Sequence, residues 1–301
     1  MNRAYAWLVV NGFIHTEKFE QIFDWLVQAA DEQHCTLEIK ANTQLLPALE
    51  QQLEERRPQF VIFWDKDVRL ARLLEKKGLR LYNSAQSIEI CDDKSRTYIE
   101  LCNSGIRMPR TIVAPKTFRP QGYPEFGFLE QVERTLEYPM VLKECFGSFG
   151  QQVYLIRNRL EMEKYLGQIQ NRPCLFQEYL ACSRGRDIRI QMVGSHAVAS
   201  MYRFHTSDFR ANITGGGSME PYEPNPRQLE MAQKVMRELK LDFAGIDILF
   251  GQNEEPVLCE VNSNAHFVNL YHCTGVNVAE KIVRYCLEDY EKGCYSSAQF
   301  D

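Results

Sequence analysis

The sequence predicts an α/β fold that begins as a doubly wound parallel sheet, and three observations carry that expectation. Over the first ninety residues, short apolar runs alternate with stretches of helical periodicity, the pattern of βαβ units. From about Ser84 the texture changes, and a proline- and glycine-rich stretch follows. The last third carries closely spaced strand-like runs between helical segments. At 301 residues the chain has room for about two domains of ordinary size.

Tyr5 to Val10 is a compact apolar run and reads as a buried strand. It runs into Asn11 and Gly12 without a small-residue cleavage pattern, so it is not taken as a secretion signal. Phe19, Ile22, Phe23, Leu26, Val27 and Ala30 recur at helical spacing, with Thr16 at the N-cap. A strand at 36–40, a helix at 45–55, the run Phe60-Val61-Ile62-Phe63-Trp64, a helix ending near Gly78 and a strand at 79–82 complete the first unit. Asp92-Asp93-Lys94 opens a helix reaching Asn103, and Gly105 is placed to end it. Arg110 to Val113 is a short strand, and 115–128, with three prolines and two glycines, is largely loop. Strands at 140–143 and 153–156 flank a Gly147-Ser148-Phe149-Gly150 turn, before a helix at 159–168 and a strand at 174–179. Strands at 188–193 and 197–204 lead into a polar loop at 205–223. A helix at 227–239, strands at 243–250 and 256–262, and a helix at 276–287 close the chain.

Composition excludes several classes. With 35 basic and 40 acidic residues the formal charge is −5, which argues against nucleic-acid binding through a basic surface. No apolar run approaches the roughly 20 residues of a membrane helix. Ten cysteines are present, but no two stand three apart, so zinc-knuckle and redox-dithiol readings lose their support. They read as buried, reduced thiols of a cytoplasmic protein. The dinucleotide fingerprint G-x-G-x-x-G is absent, as are the Walker phosphate loop and G-x-S-x-G.

Four constellations remain. In Gly245-Ile246-Asp247-Ile248-Leu249 one carboxylate interrupts an apolar run, and in Leu258-Cys259-Glu260-Val261-Asn262 polar and apolar residues alternate. The strand period of two puts Glu260 and Asn262 on one face and Cys259 and Val261 on the other. If the two strands are neighbours, Asp247, Glu260 and Asn262 form an all-oxygen cluster suited to Mg²⁺, the alternative being a strand with one polar face. Lys143 on its strand, beside the glycine turn, is suited to phosphate, the alternative being a lysine that reaches solvent. Phe176 to Leu180 and Arg186 to Arg189 place acids and bases at a strand end, which could hold ribose, base and phosphate or form a solvated edge. Arg203, Arg210 and Asn212, with the triple glycine 215–217, offer forked donors for an anionic group, the alternative being a surface loop. His266 and His272 read as satisfied polar residues, the alternative being contact with substrate.

Taken in order, DDKSRTYIELCNSGIRMPRT, YPMVLKECFGSFGQQV, LFQEYL, GRDIRIQMVG, DFRANITGGG, DFAGIDILF and LCEVN resemble the ATP-grasp superfamily, and within it the RimK-like carboxylate–amine ligases. The resemblance covers about residues 90–285. It implies a small α/β domain at 1–88 followed by two α+β ATP-grasp subdomains at 89–180 and 181–301. By resemblance, Lys94 and Lys143 hold the nucleotide phosphates, with Gly147, Ser148 and Gly150 in the loop that folds over them. Glu178 and Tyr179 are the hinge that meets adenine, partly through backbone, and Asp187 is the ribose-side acid. Arg203, Arg210 and Asn212 form the substrate and phosphoryl-transfer group, and Asp247, Glu260 and Asn262 bind Mg²⁺, with Mn²⁺ able to replace it.

The implied activity joins a small-molecule or peptide carboxylate to an amine or amino acid, glutamate among them, with release of ADP and phosphate. A homo-oligomer is compatible with it. The competing reading is an ATP-binding regulator or scaffold without turnover, and the full set of lysines, acids and asparagine argues against it. A nicotinamide dehydrogenase is more distant, since its glycine fingerprint is missing. One stretch departs from the family pattern. Relatives continue after Glu-Val-Asn with a small residue and Ser-Pro-Gly, whereas this chain has Ser263-Asn264-Ala265-His266-Phe267. That loop borders the acceptor pocket in relatives, so the resemblance does not name the acceptor.

Overall fold

A computed structural model describes residues 3–148 and 150–297; Phe149, which falls in the expected glycine turn, and 298–301 lie outside the described residues. The first unit runs β1 (Ala4–Val10), α1 (Glu17–Glu32), β2 (Cys35–Ala41), α2 (Asn42–Leu45), α3 (Leu49–Glu55), β3 (Phe60–Trp64), α4 (Val68–Lys76), β4 (Leu81–Tyr82) and α5 (Ala85–Asp92). The middle runs α6 (Lys94–Leu101), β5 (Thr111–Val113), α7 (Leu129–Leu136), β6 (Met140–Glu144), β7 (Val153–Ile156), α8 (Arg159–Ile169) and β8 (Cys174–Glu178). The remainder is β9 (Arg186–Val193), β10 (His196–Phe204), β11 (Ser218–Pro221), α9 (Pro226–Glu238), β12 (Phe243–Phe250), β13 (Pro256–Asn262), α10 (Val268–Thr274) and α11 (Val278–Ser297).

The strands form three sheets, ordered β2-β1-β3-β4, β5-β8-β6-β7 and β11-β10-β9-β12-β13. The first is parallel, as the alternation of strands and helices predicts, and the pairings of the other two are antiparallel. Helices cover both faces of the first sheet. Ile22 and Leu26 of α1 and Ile282 and Val283 of α11 pack on one face, with Leu70 and Leu74 of α4 on the other. The helix starts follow local chemistry: the side chains of Asp67, Ser84, Asp93 and Asn158 each accept an early backbone N–H, and Asn225 and Gln228 form a capping box. Thr16 does stand at the N-cap of α1, but its side chain makes no capping bond.

Four elements were not legible in the pattern. The sequence reading has no helix at α5, α7 or α10, and treats β11 as loop. β11 is exposed over three of its four residues, so it lacks the alternation that marks a half-buried strand. The expected helix at 45–55 is instead α2, a single 3₁₀ turn containing Pro47, and α3.

The third sheet positions the site through the parity of its strands. Ile188, Ile190 and Met192 of β9 and Ala244, Ile246 and Ile248 of β12 pack with Ala232, Val235 and Met236 of α9. The alternate residues of both strands point the other way, some of them into a cleft. Among the described residues no helix is long and apolar enough to cross a membrane.

Asn83 locks the first sheet to the third. Fully buried, its Nδ2 donates to the carbonyls of Phe243 (2.9 Å) and Ser263 (3.0 Å), and its Oδ1 accepts from the N–H groups of Asp242 (2.6 Å) and Phe243 (3.3 Å). Truncation would leave buried donors and acceptors unpaired. Asn83→Ala should therefore destabilise the chain by roughly 3 kcal/mol or more in urea unfolding; a loss under about 1 kcal/mol would contradict this role for Asn83.

Candidate active site

The cleft is built on a ladder of alternating charge across β10, β9 and β12. Arg203 lies opposite Asp187, and Arg189 opposite Asp247, in the registers of the two strand pairs. Both pairs are forked: Arg203 donates to Asp187 at 2.6 and 2.8 Å, and Arg189 to Asp247 at 2.7 Å on each oxygen. Arg203 Nη2 also lies 3.1 Å from Asp247 Oδ2, which joins the pairs into one network. Three of its four members are buried, Arg203 to 4% and Asp247 to 3% exposure, and Arg189 is partly buried. Opposite charges directly across strands favour this register, and losing one member would strand a buried charge, at a cost of about 3–5 kcal/mol. Burial pushes the Asp247 carboxyl up, but Arg189 and Arg203 outweigh it and hold it below its ordinary value. Burial wins at Asp187 and raises it, against the pull of Arg203.

β13 extends this face. Glu260 stands opposite Asp247, and Asn262 opposite Gly245. A register shift between Asp247 and Ile248 makes Cys259 the extra residue of a bulge, which breaks the period of two. Leu258 and Val261 therefore both pack in the core beneath α9. The expectation that Cys259 shares the face of Val261 is thus corrected: Cys259 lines the cleft with Glu260, its Sγ 4.0 Å from Lys143 Nζ. Burial pushes its thiol up to about 11, despite Lys143, so it is protonated at neutral pH.

Opposite this face stand β6 and the glycine turn. Lys94 begins α6, donates to the Gly147 carbonyl at 3.1 Å and lies 3.5 Å from Glu260. Arg210 Nη1 donates to the Gly150 carbonyl at 2.6 Å, while its other nitrogens hold Asp208 at 2.8 and 3.1 Å. That contact pushes the Asp208 carboxyl down to about 2. Gly150 has φ +72°, and a Cβ there would lie 2.7 Å from Asn212 Oδ1. The triple glycine has a similar cause: Gly216 has φ +97°, and a Cβ on Gly217 would meet the Ala211 carbonyl at 2.8 Å. The loop after β10 is thus folded down onto the glycine turn.

Two cavities meet here. The first lies between the second and third sheets, encloses about 900 Å³ with its mouth, and is lined by Val141, Lys143, Tyr179, Asp187, Asp247 and Leu249 among others. The second opens toward the first sheet and is lined by Phe19, Trp64, Asp65, Asn262, Asn264 and His266 among others. Lys94, Gly147, Ser148, Arg203, Asn212 and Glu260 face both. Every site residue expected from the sequence lines one cavity or the other.

Two of them stand differently from expectation. The Glu178 carboxylate accepts from the backbone and side chain of Arg110, at 2.9 Å each, which leaves mainly backbone to meet a base. Both oxygens of Asp187 are engaged by Arg203, so its first task is to orient that guanidinium. Arg189, which the sequence names only within the strand-end group 186–189 and without a role of its own, lies two residues beyond Asp187 and therefore on the same strand face. His266 faces the second cavity, a position open to the substrate contact that the sequence offers as its alternative role.

The donor set offers a divalent cation an all-oxygen site, in which Asp247 is also held on both oxygens by Arg189. Asp247 and Glu260 face each other, and Asn262 beside them has a buried Nδ2 with no hydrogen-bond partner, so its amide is free to turn its oxygen inward.

Comparison with known proteins places this geometry. Residues 91–286 match the model of the RimK-like ATP-grasp domain. The chain is 30% identical over 273 residues to human beta-citrylglutamate synthase B, covering 88% of this chain and 69% of that one. It is 30% identical over 228 residues to the glutamate–LysW ligase ArgX of Sulfurisphaera tokodaii, covering 73% and 77%. Among solved structures, the D-alanine–D-alanine ligase of Bacillus anthracis superposes with a TM-score of 0.75 at 15% identity over 98% of this chain and 99% of that one, a likeness of fold. The chain therefore belongs to the RimK-like ATP-grasp family of ATP-dependent carboxylate–amine ligases.

Proposed function

We propose that this ligase activates a carboxylate as an acyl phosphate, with ATP in the first cavity and the carboxylate and amine in the second. The observation that carries the reading is their shared wall, because the γ-phosphate and a carboxylate can approach each other only where both cavities reach. Lys143 and Lys94 hold the phosphates, and the turn at 147–150 covers them. The backbone at 178–180 meets adenine. Asp247, Glu260 and Asn262 would hold Mg²⁺, or Mn²⁺ in its place, which when bound offsets charge on the phosphate oxygens.

A carboxylate oxygen attacks the γ-phosphorus and ADP leaves. Arg203, oriented by Asp187, stabilises the charge that builds during transfer, and Asn212 adds a neutral donor. The amine then attacks the acyl carbon, phosphate departs with the electrons of the carbon–oxygen bond, and the amine proton passes to solvent. Catalysis rests on positioning and electrostatics, without a protein nucleophile. Acyl phosphates hydrolyse, so the contact of Arg210 with Gly150 serves to exclude water.

The amine is an amino acid or a related primary amine. Two relatives are named for glutamate, but the divergent loop 263–267 lines the second cavity of this chain, so glutamate is not carried over. The domain division at 1–88, 89–180 and 181–301 is kept as part of this proposal, with the addition that α11 packs back on the first sheet. The free thiols of the described cysteines fit a reducing, cytoplasmic setting.

Three outcomes test the scheme. Glu260→Ala should cut amide-forming turnover by roughly a hundredfold or more; turnover near wild type would remove Glu260 from the metal set. Lys143→Ala should weaken ATP binding about tenfold or more by calorimetry, with little change in melting temperature, because it deletes a phosphate contact; unchanged affinity would contradict its role. Arg210→Ala should raise the ratio of ADP released to amide formed, as water reaches the acyl phosphate. A ratio that stays at one would show that this contact excludes no water.

A further inference from the structure

The second cavity has features that phosphoryl transfer does not require. The wall on the side of the first sheet is aromatic, from Phe19, Phe23 and Trp64. The Phe19 and His266 rings meet edge-on, their centroids 4.2 Å apart. Burial, with help from Arg189, Lys18 and Lys66, pushes His266 down to about 4, so this part of the wall is uncharged at neutral pH. Three residues of this cavity wall carry a buried polar atom without a hydrogen-bond partner among the described residues: Trp64 Nε1, Asp65 Oδ2 and Asn264 Oδ1. An unpaired buried polar group is costly, so several on one cavity wall call for a ligand that pairs them.

Asp65 is held in place for such a ligand. Its Oδ1 accepts from Asn11 Nδ2 at 3.1 Å and from the Lys66 N–H at 2.7 Å, and its carbonyl accepts from Asn264 Nδ2 at 2.8 Å. The residue directly follows β3, at the carboxyl edge of a parallel sheet, where open α/β sheets bind ligands. The cations around it are committed elsewhere. Lys66 pairs with Asp92, Lys94 with Glu260, Arg189 with Asp247, and Arg203 with both Asp187 and Asp247. Lys18 is exposed at the mouth. Asp65 is itself 6% exposed, burial pushes its carboxyl up, and among the described residues its Oδ2 has no hydrogen-bond partner, so a ligand ammonium would stabilise the charged form.

Resting on the assignment of the second cavity to the joined substrates, we propose that Asp65 is the specificity-determining residue for the amine. The ligand is a primary amine with an apolar or aromatic body: its ammonium seats on Asp65 Oδ2, and its body lies against Phe19, Phe23 and Trp64. A second carboxylate on the body, as in glutamate, would be driven against aromatic rings and a like charge, which disfavours it. The amine selected here therefore differs in chemistry from the glutamate in the relatives' names.

The test is calorimetric titration of the full chain, loaded with Mg²⁺ and a non-hydrolysable ATP analogue, with L-leucine, L-phenylalanine and L-glutamate. Wild type should bind leucine or phenylalanine about tenfold or more tighter than glutamate, and Asp65→Asn should remove most of that affinity while binding the ATP analogue normally. Trp64→Phe, which deletes only the indole N–H and a ring, should weaken the apolar ligands a few-fold and keep their preference over glutamate; it decides the matter if Asp65→Asn does not fold. Glutamate binding as well as leucine, unchanged affinity in Asp65→Asn, or no binding of any of the three would overturn the proposal. Parallel ADP-release assays separate it from the ligase mechanism. Apolar amines that bind but never stimulate ADP release would overturn the mechanism and leave this site standing. Glutamate-dependent turnover indifferent to Asp65→Asn would do the reverse.

Discussion

Four charges on three adjacent strands, three of them buried and Arg189 partly so, set the geometry on which this protein depends. Arginines and aspartates alternate across β10, β9 and β12, so each guanidinium is gripped by a carboxylate from the neighbouring strand. Such a network is costly to bury and tolerates little displacement. It fixes the register of the sheet and the direction in which Arg203 faces. Because Glu260 stands in register with Asp247, the same network also positions Glu260, the residue to which the proposed scheme assigns the metal.

The supports around the ladder differ in kind. Between the first and third sheets they are side chains that pair with backbone, as Asn83 does, and ion pairs such as Arg80 with Asp242 at 2.6 Å. These bonds join sheets across long stretches of chain and make the walls of the second cavity a fixed frame. Between the second and third sheets the contacts nearest the chemistry end on a loop: Lys94, from the start of α6, and Arg210, from the loop after β10, each reach a carbonyl of the glycine turn. A frame that is fixed on the substrate side and latched by loops on the nucleotide side suits a reaction in which ATP enters, is enclosed and leaves as ADP.

Much of this was legible in the sequence because its signals are local. The strands at 60–64, 243–250 and 256–262 lie where their apolar runs place them, and the polar residues that interrupt those runs line the cleft. Where the reading failed, the missing information was not local. Arg189 became a site residue only through the cross-strand register that sets it against Asp247. Cys259 reached the cleft through a bulge, which an alternation rule cannot anticipate. Asp65 carries no signal of its own in the sequence, as it merely follows the apolar run 60–64. Its place in a cavity wall depends on Asn11 and Asn264, distant in sequence, which hold it there. Thr16 shows the opposite error, a residue of the right type at the right position that makes no cap.

The central claim is that the carboxylate of the second cavity attacks the γ-phosphate held in the first. Label transfer tests this most directly. A substrate carboxylate carrying ¹⁸O in both oxygens, turned over with ATP and an amine, should pass one labelled oxygen to the released phosphate and keep the other in the amide, as mass spectrometry would read. Phosphate that carries no label while amide forms would contradict the account, because the carboxylate would then have been activated without ever bonding to phosphorus.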